Sequence, residues 1–141
     1  MTDQNHQVKC LGIEDFWGNI WQWVDGFTTD ANRNMFTCFI PSQFSDSTSA
    51  EGQTNQGQGA TANIGNYMSK PQGGTDTGFV AKEVSGSETT YFCDYAHLSA
   101  SCVVRFGGGW NDGANAGAFR LSVNDASSAS GANVASRLMY V

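Results

Sequence analysis

From Ala118 to Asp125 the chain reads Ala-Phe-Arg-Leu-Ser-Val-Asn-Asp, so that apolar Phe119, Leu121 and Val123 alternate with polar Arg120, Ser122 and Asn124. Successive side chains leave a strand on opposite faces, and this period of two constrains the stretch to a half-buried strand. The alternation predicts that Phe119, Leu121 and Val123 enter the core while Arg120 and Ser122 are displayed. Just upstream, Gly107-Gly108-Gly109-Trp110-Asn111-Asp112-Gly113 sets one large ring among glycines, which permit turns and close backbone approach while the ring anchors the segment. Downstream, residues 125–133 are a loop by composition, and residues 136–141 are predicted as a terminal strand.

The first third is organised by aromatic density. Trp17, Trp21 and Trp23 fall within seven positions and hold three of the four tryptophans, which marks them as core ballast. Residues 14–17 read as a helical turn or tight loop, and residues 19–28 as a strand with Trp21 and Trp23 on one face. A polar turn at residues 30–34 leads to a second strand at 35–40, which gives a hairpin ended by Pro41. Residues 42–65 carry almost no large apolar groups and are predicted to be a long surface excursion. Short strands are expected at Phe79-Val80, within residues 89–95, and at 102–106. With 141 residues, 17 glycines and only 14% charged residues, the expectation is one loop-rich α+β domain over 1–141 with modest helix and a flexible start at residues 1–9.

Composition also excludes partners. A net charge of −6 with seven Lys and Arg argues against nucleic acid, which needs a basic patch. No apolar run approaches the ~20 residues of a membrane span, and the start of the chain has no hydrophobic signal core, so no membrane insertion is expected. Cys10, Cys38, Cys93 and Cys102 are too scattered for a zinc site. They read as buried free thiols, with a Cys93–Cys102 disulfide as the alternative. His97 has no coordinating neighbour in sequence and reads as a loop histidine. No nucleophile elbow or triad order is present, and the adjacent Glu14 and Asp15 diverge on any regular element. Gly107-Gly108-Gly109 lacks the Lys-Ser/Thr of a phosphate loop. Neither catalysis, a metal nor a cofactor is expected.

Three ordered pieces carry a family resemblance: Gly12 to Gly26 (GIEDFWGNIWQWVDG), Gly107 to Gly113 (GGGWNDG), and Asn115 to Phe119 running on to Arg137-Leu138. Together they resemble the variable proteins of diversity-generating retroelements, in particular the phage and gut-bacterial group. The ligand-binding domain of that group has a C-type lectin fold of the formylglycine-generating-enzyme type. In that family a reverse transcriptase rewrites template adenines, which diversifies chosen codons while the frame stays fixed. The resemblance implies a C-type lectin-like α+β fold with short antiparallel strands and a variable region over residues 103–140. The diversified, ligand-binding positions would be Gly109, Asp112, Ala114, Arg120, Ser122 and Asp125, with Phe106, Ala129 and Gly131. It further implies a protein or glycan ligand on a target cell surface and a place on a phage tail or bacterial surface. The short stretch before Leu11 suggests a piece of a longer protein.

Two alternatives share parts of the pattern. Gly18-Asn19-Ile20-Trp21-Gln22-Trp23-Val24 is similar to a stretch of the formylglycine-generating enzyme itself, but that enzyme's reactive cysteines would lie near Asp112 and Gly117, and no cysteine follows Cys102. Trp110-Asn111-Asp112 is shared with calcium-dependent sugar lectins, but their second, proline-containing tripeptide is absent.

Overall fold

The computed structural model describes residues 8–92 and 94–136. Its strands are β1 (Lys9–Cys10), β2 (Ile13–Glu14), β3 (Trp21–Thr29), β4 (Asn34–Thr37), β5 (Thr54–Gln58), β6 (Ile64–Tyr67), β7 (Lys70–Gly74), β8 (Gly78–Glu83), β9 (Tyr95–Leu98), β10 (Val103–Gly107), β11 (Gly117–Asp125) and β12 (Val134–Ala135). The only helical turns among the described residues are 3-10, at Pro41–Gln43 and Gly113–Asn115. The chain is therefore nearly all β, and the expectation of an α+β, C-type lectin-like fold is corrected to a β-rich one. The cause lies in the residues: aromatics and threonines favour strands, and glycine, serine and asparagine favour turns.

The main sheet runs β5-β4-β3-β10-β11-β9-β6 and curls into a half-barrel. Its neighbours are antiparallel except β11 with β9. β12 lies parallel to the first residues of β3, pairing Val134 with Trp21 and Ala135 with Gln22. The turn between β3 and β4 is held by Asp30, whose Oδ1 accepts from the Asn32 and Asn34 amides at 2.8 and 2.9 Å. β7 and β8 form a separate hairpin.

One face of the sheet is the apolar core. Val104 and Val123 are fully buried beside Cys102, and Val24, Phe27 and Leu121 pack on them. Burying each valine contributes about 1.5–3 kcal/mol. Val80 of the β7–β8 hairpin joins Met35, Ala60 and Leu98 in a second cluster. Met68, Ala81 and Ala96 make a third. Cys10, Cys38 and Cys102 carry free thiols. Cys93, and with it the Cys93–Cys102 alternative, lies outside the described residues, as do residues 1–7 of the expected flexible start and 137–141 of the expected terminal strand. No helix among the described residues is long and apolar enough to cross a membrane.

Candidate ligand-binding surface

Strand register assembles a polar and aromatic layer on the opposite face. Arg105 of β10 stands opposite Trp23 of β3 on one side and Ser122 of β11 on the other. Ser122 stands opposite His97 of β9. Two residues before Ser122, Arg120 comes to lie against Trp21 and Tyr95, its guanidinium carbon 4.5 and 5.3 Å from their ring centroids. The Arg105 guanidinium sits 4.8 Å from the Trp21 centroid and 5.5 Å from that of Trp23. Both cations thus pack on one buried indole, an arrangement that stabilises desolvated guanidinium groups.

The faces of β11 are the reverse of the sequence expectation at its first half. Arg120 is 5% exposed and Ser122 1%, while Phe119 is 77% exposed. Only Val123 takes the fully buried place expected of it, with Leu121 partly buried in the core. Alternation identifies a strand but not which face is covered, and here both are covered. The segment after β10 folds back over Arg120. Gly108 makes this possible, with φ 82° and no side chain: a Cβ there would stand 2.8 Å from Ala116 Cα. Phe119 lies at the strand's start, beyond the core clusters.

Charge in the layer is balanced. Arg120 Nη1 lies 2.8 Å from Asp112 Oδ1, a charge contact off the hydrogen-bonding axis, and neither that nitrogen nor Nε has a hydrogen-bond partner among the described residues. Burial works against the Arg120 charge and Asp112 supports it, with a net downward shift that leaves so basic a group protonated. Arg105 donates through Nη2 to Asn124 Oδ1 at 3.1 Å and pairs with Asp125 Oδ2. Ser122 Oγ donates to the same Asn124 oxygen at 2.7 Å. Burial, with Arg120 and Arg105 nearby, pushes the His97 imidazole below its ordinary value, which favours the neutral ring.

Above this layer the Gly107–Gly113 loop is pinned. Gly18 N donates to Gly107 O at 3.1 Å and Trp110 N to Asn19 O at 2.7 Å. Gly109 N donates to Asp112 Oδ2 at 2.6 Å, so both Asp112 oxygens are engaged within the protein. Asn133 Nδ2 donates to Asn111 Oδ1 at 3.1 Å, and Asn133 O accepts from Trp21 N at 2.8 Å, which joins the loop after β11 to the glycine-rich loop. On this braced backbone the Trp110 ring is 64% exposed, so it does not anchor the segment by burial. Backbone bonds and Asp112 do that instead.

The nine positions singled out in the sequence separate accordingly. Gly109, Arg120 and Ser122 are buried. Asp112 and Asp125 are half-buried, each held to a guanidinium. Phe106 belongs to the other face, packing edge-on against Phe16 with centroids 5.7 Å apart. Ala114 and Gly131 are exposed, and Ala129 is partly buried, closing a turn through its amide to Ala126 O. The joined loops bring Gly109, Asp112, Ala114 and Gly131 to one region, with Arg120 beneath. Sequence reading did not assign contact roles to Trp110, Tyr95 or His97. The signal for Trp110 was its setting: a single large ring with glycine on one side and Asn-Asp-Gly on the other has few apolar neighbours to bury it. Among the described residues no group of three or more His, Cys, Asp or Glu side chains converges as a metal site. Comparison of the chain with protein-family models, with curated proteins and with solved structures found no match.

Proposed function

We propose that the chain is a ligand-binding module whose contact surface is the joined pair of loops around Trp110, and that it acts without catalysis. The observation that carries this reading is the Trp110 ring, exposed at 64% on a backbone fixed by bonds to Asn19, Asp112 and Asn133. A large ring presented on a rigid frame loses little entropy on contact and is the usual form of a binding hot spot. Ala114 and Gly131, in the same two loops, are exposed and carry respectively a methyl and no side chain, so these positions are open to larger residues. A protein or glycan on a target cell surface, met from a phage tail or a bacterial surface, is the partner in keeping with the retroelement resemblance. That part of the reading rests on the three sequence motifs rather than on the fold. Its test is the neighbouring DNA, where we expect a near-copy of the codons for Val103 to Arg137, differing only at adenines, beside a reverse-transcriptase gene. An intact locus without such a copy overturns it.

Binding itself is tested with fluorescently labelled protein and a panel of intact bacterial cells read by flow cytometry. Wild type should stain at least one strain, and Trp110→Ala should lose about 2 kcal/mol or more of binding, roughly thirtyfold, with an unchanged melting temperature. Undiminished staining by Trp110→Ala would overturn the assignment of the surface.

A further inference from the structure

A half-open cavity of about 670 Å³ lies at a break in the edge of β3. Along that edge β12 pairs with Trp21 and Gln22, and β4 pairs with Phe27 to Thr29. Gly26 O accepts from Cys38 N at 2.8 Å. Trp23 to Asp25 therefore stand between two partner strands and form the cavity wall. Its volume lies within the ~300–1,000 Å³ of small-molecule sites. Neither Trp110 nor any of the nine candidate positions lines it.

The wall has three kinds of group. Trp23 and Phe44 supply aromatic surface. The Phe44 ring rests on the strand because Gly26 has φ 78° and no side chain; a Cβ there would stand 2.9 Å from the ring. Asp25 and Asp46 supply carboxylates, and among the described residues the other polar groups of the wall are the hydroxyls of Thr28, Ser45, Ser127 and Ser136 and the Trp23 indole N–H. Among the described residues no lysine or arginine lines the cavity or the adjoining hollow of about 280 Å³ that shares Asp46 and Ser127. The independent sign of a ligand is Thr28, which also lines the cavity. It is 2% exposed and its Oγ1 has no hydrogen-bond partner among the described residues. A buried hydroxyl left unpaired is costly and rare, and a donor or acceptor brought by a ligand would satisfy it.

We propose that this cleft binds a neutral oligosaccharide. A pyranose ring offers an apolar C–H face and an edge of hydroxyls. The aromatic pair suits the first, and carboxylates, which only accept, together with side-chain hydroxyls, which accept and donate, suit the second. Carboxylates as the only charges among the described lining residues, on a chain of net charge −6, disfavour uronic, sialic and phosphorylated sugars. A basic peptide would satisfy the carboxylates but not the hydroxyls and aromatic faces that make up most of the wall.

Calorimetric titration with maltotriose, cellotriose and chitotriose as neutral probes, trigalacturonate as the anionic one and trilysine as the cationic one tests the assignment. At least one neutral trisaccharide should bind with a Kd of about a millimolar or tighter. Phe44→Ala and Asp46→Asn, both at exposed positions, should each weaken it at least tenfold without moving the melting temperature. Thr28→Val, nearly isosteric, should weaken it as well, while Trp110→Ala should leave it unchanged. Absence of binding by all three neutral probes overturns the proposal, as does equal or tighter binding of trigalacturonate or trilysine, or wild-type affinity in the Phe44→Ala/Asp46→Asn double variant. Loss of saccharide binding in Trp110→Ala with none in Asp46→Asn would move the saccharide to the loop surface and overturn the cleft. Ser127 of the loop after β11 lines the cleft, but neither Trp110 nor any of the nine candidate positions does, so cell staining lost in Trp110→Ala and saccharide binding lost in Phe44→Ala or Asp46→Asn can fail independently.

Discussion

His97 stands where two guanidinium groups converge, and its position ties the charge balance of the polar layer to pH. The ring is half-buried, packs at a tilt against Tyr95 with centroids 5.2 Å apart, and its Nδ1 lies 3.5 Å from Ser122 Oγ. Burial lowers its pKa from 6.5, Arg120 and Arg105 lower it further, and Asp112 and Asp125 oppose them. Since the folded value is the depressed one, the unfolded chain takes up the proton first on acidification. The contribution of His97 to stability is therefore fully present above pH 6.5 and is lost as the pH falls toward and through the folded value. We expect the melting temperature to decline between pH 7 and pH 5, with His97→Gln removing part of that decline. Asp94, whose carboxyl burial pushes up, has the opposite sign, because its protonation on acidification favours the folded chain. Comparing His97→Gln with wild type in an Asp94→Asn background isolates the histidine. A decline of the same size in both would show that the imidazole is not coupled to folding.

At the scale of the element, β11 carries the sharpest difference between pattern and packing. Arg120→Ala would leave Asp112 half-buried without its cation and remove the guanidinium packed on Trp21 and Tyr95, which should cost about 3–5 kcal/mol. Phe119→Ala should fall within about 0.5 kcal/mol of wild type, as exposed substitutions do. Denaturant titration of the two variants checks both. The strands themselves were legible: residues 19–28, 35–40, 102–106 and 118–125 overlap β3, β4, β10 and β11, because aromatic and alternating residues set a period of two. The turn at Asp30 was legible from its Asp and Asn residues. β5 and β6 were not, since Thr-Asn-Gln-Gly-Gln and Ile-Gly-Asn-Tyr hold almost no apolar alternation and join the sheet through backbone pairing with β4 and β9. The facing of Arg120 was hidden for a different reason. What covers it is a loop shaped by the φ of Gly108 and by Asp112, and no local pattern records which sheet face a loop will cross.

For the whole molecule, the closing third combines a buried frame and solvent-facing loops within a few residues of each other. Trp21 holds both arginines, the arginines hold Asp112 and Asp125, and Asp112 fixes the loop that presents Trp110. A surface meant to change its contacts is useful only if changes there leave this frame standing. The candidate positions differ in that respect, with Ala114 and Gly131 exposed and Arg120 and Ser122 buried in the frame. The direct measurement is a displayed library in which Ala114, Gly131, Arg120 and Ser122 are each replaced by every other residue and sorted by resistance to protease. The account predicts that most replacements survive at Ala114 and Gly131 and that few survive at Arg120 and Ser122. Tolerance at Arg120 and Ser122 as broad as at Ala114 would contradict it.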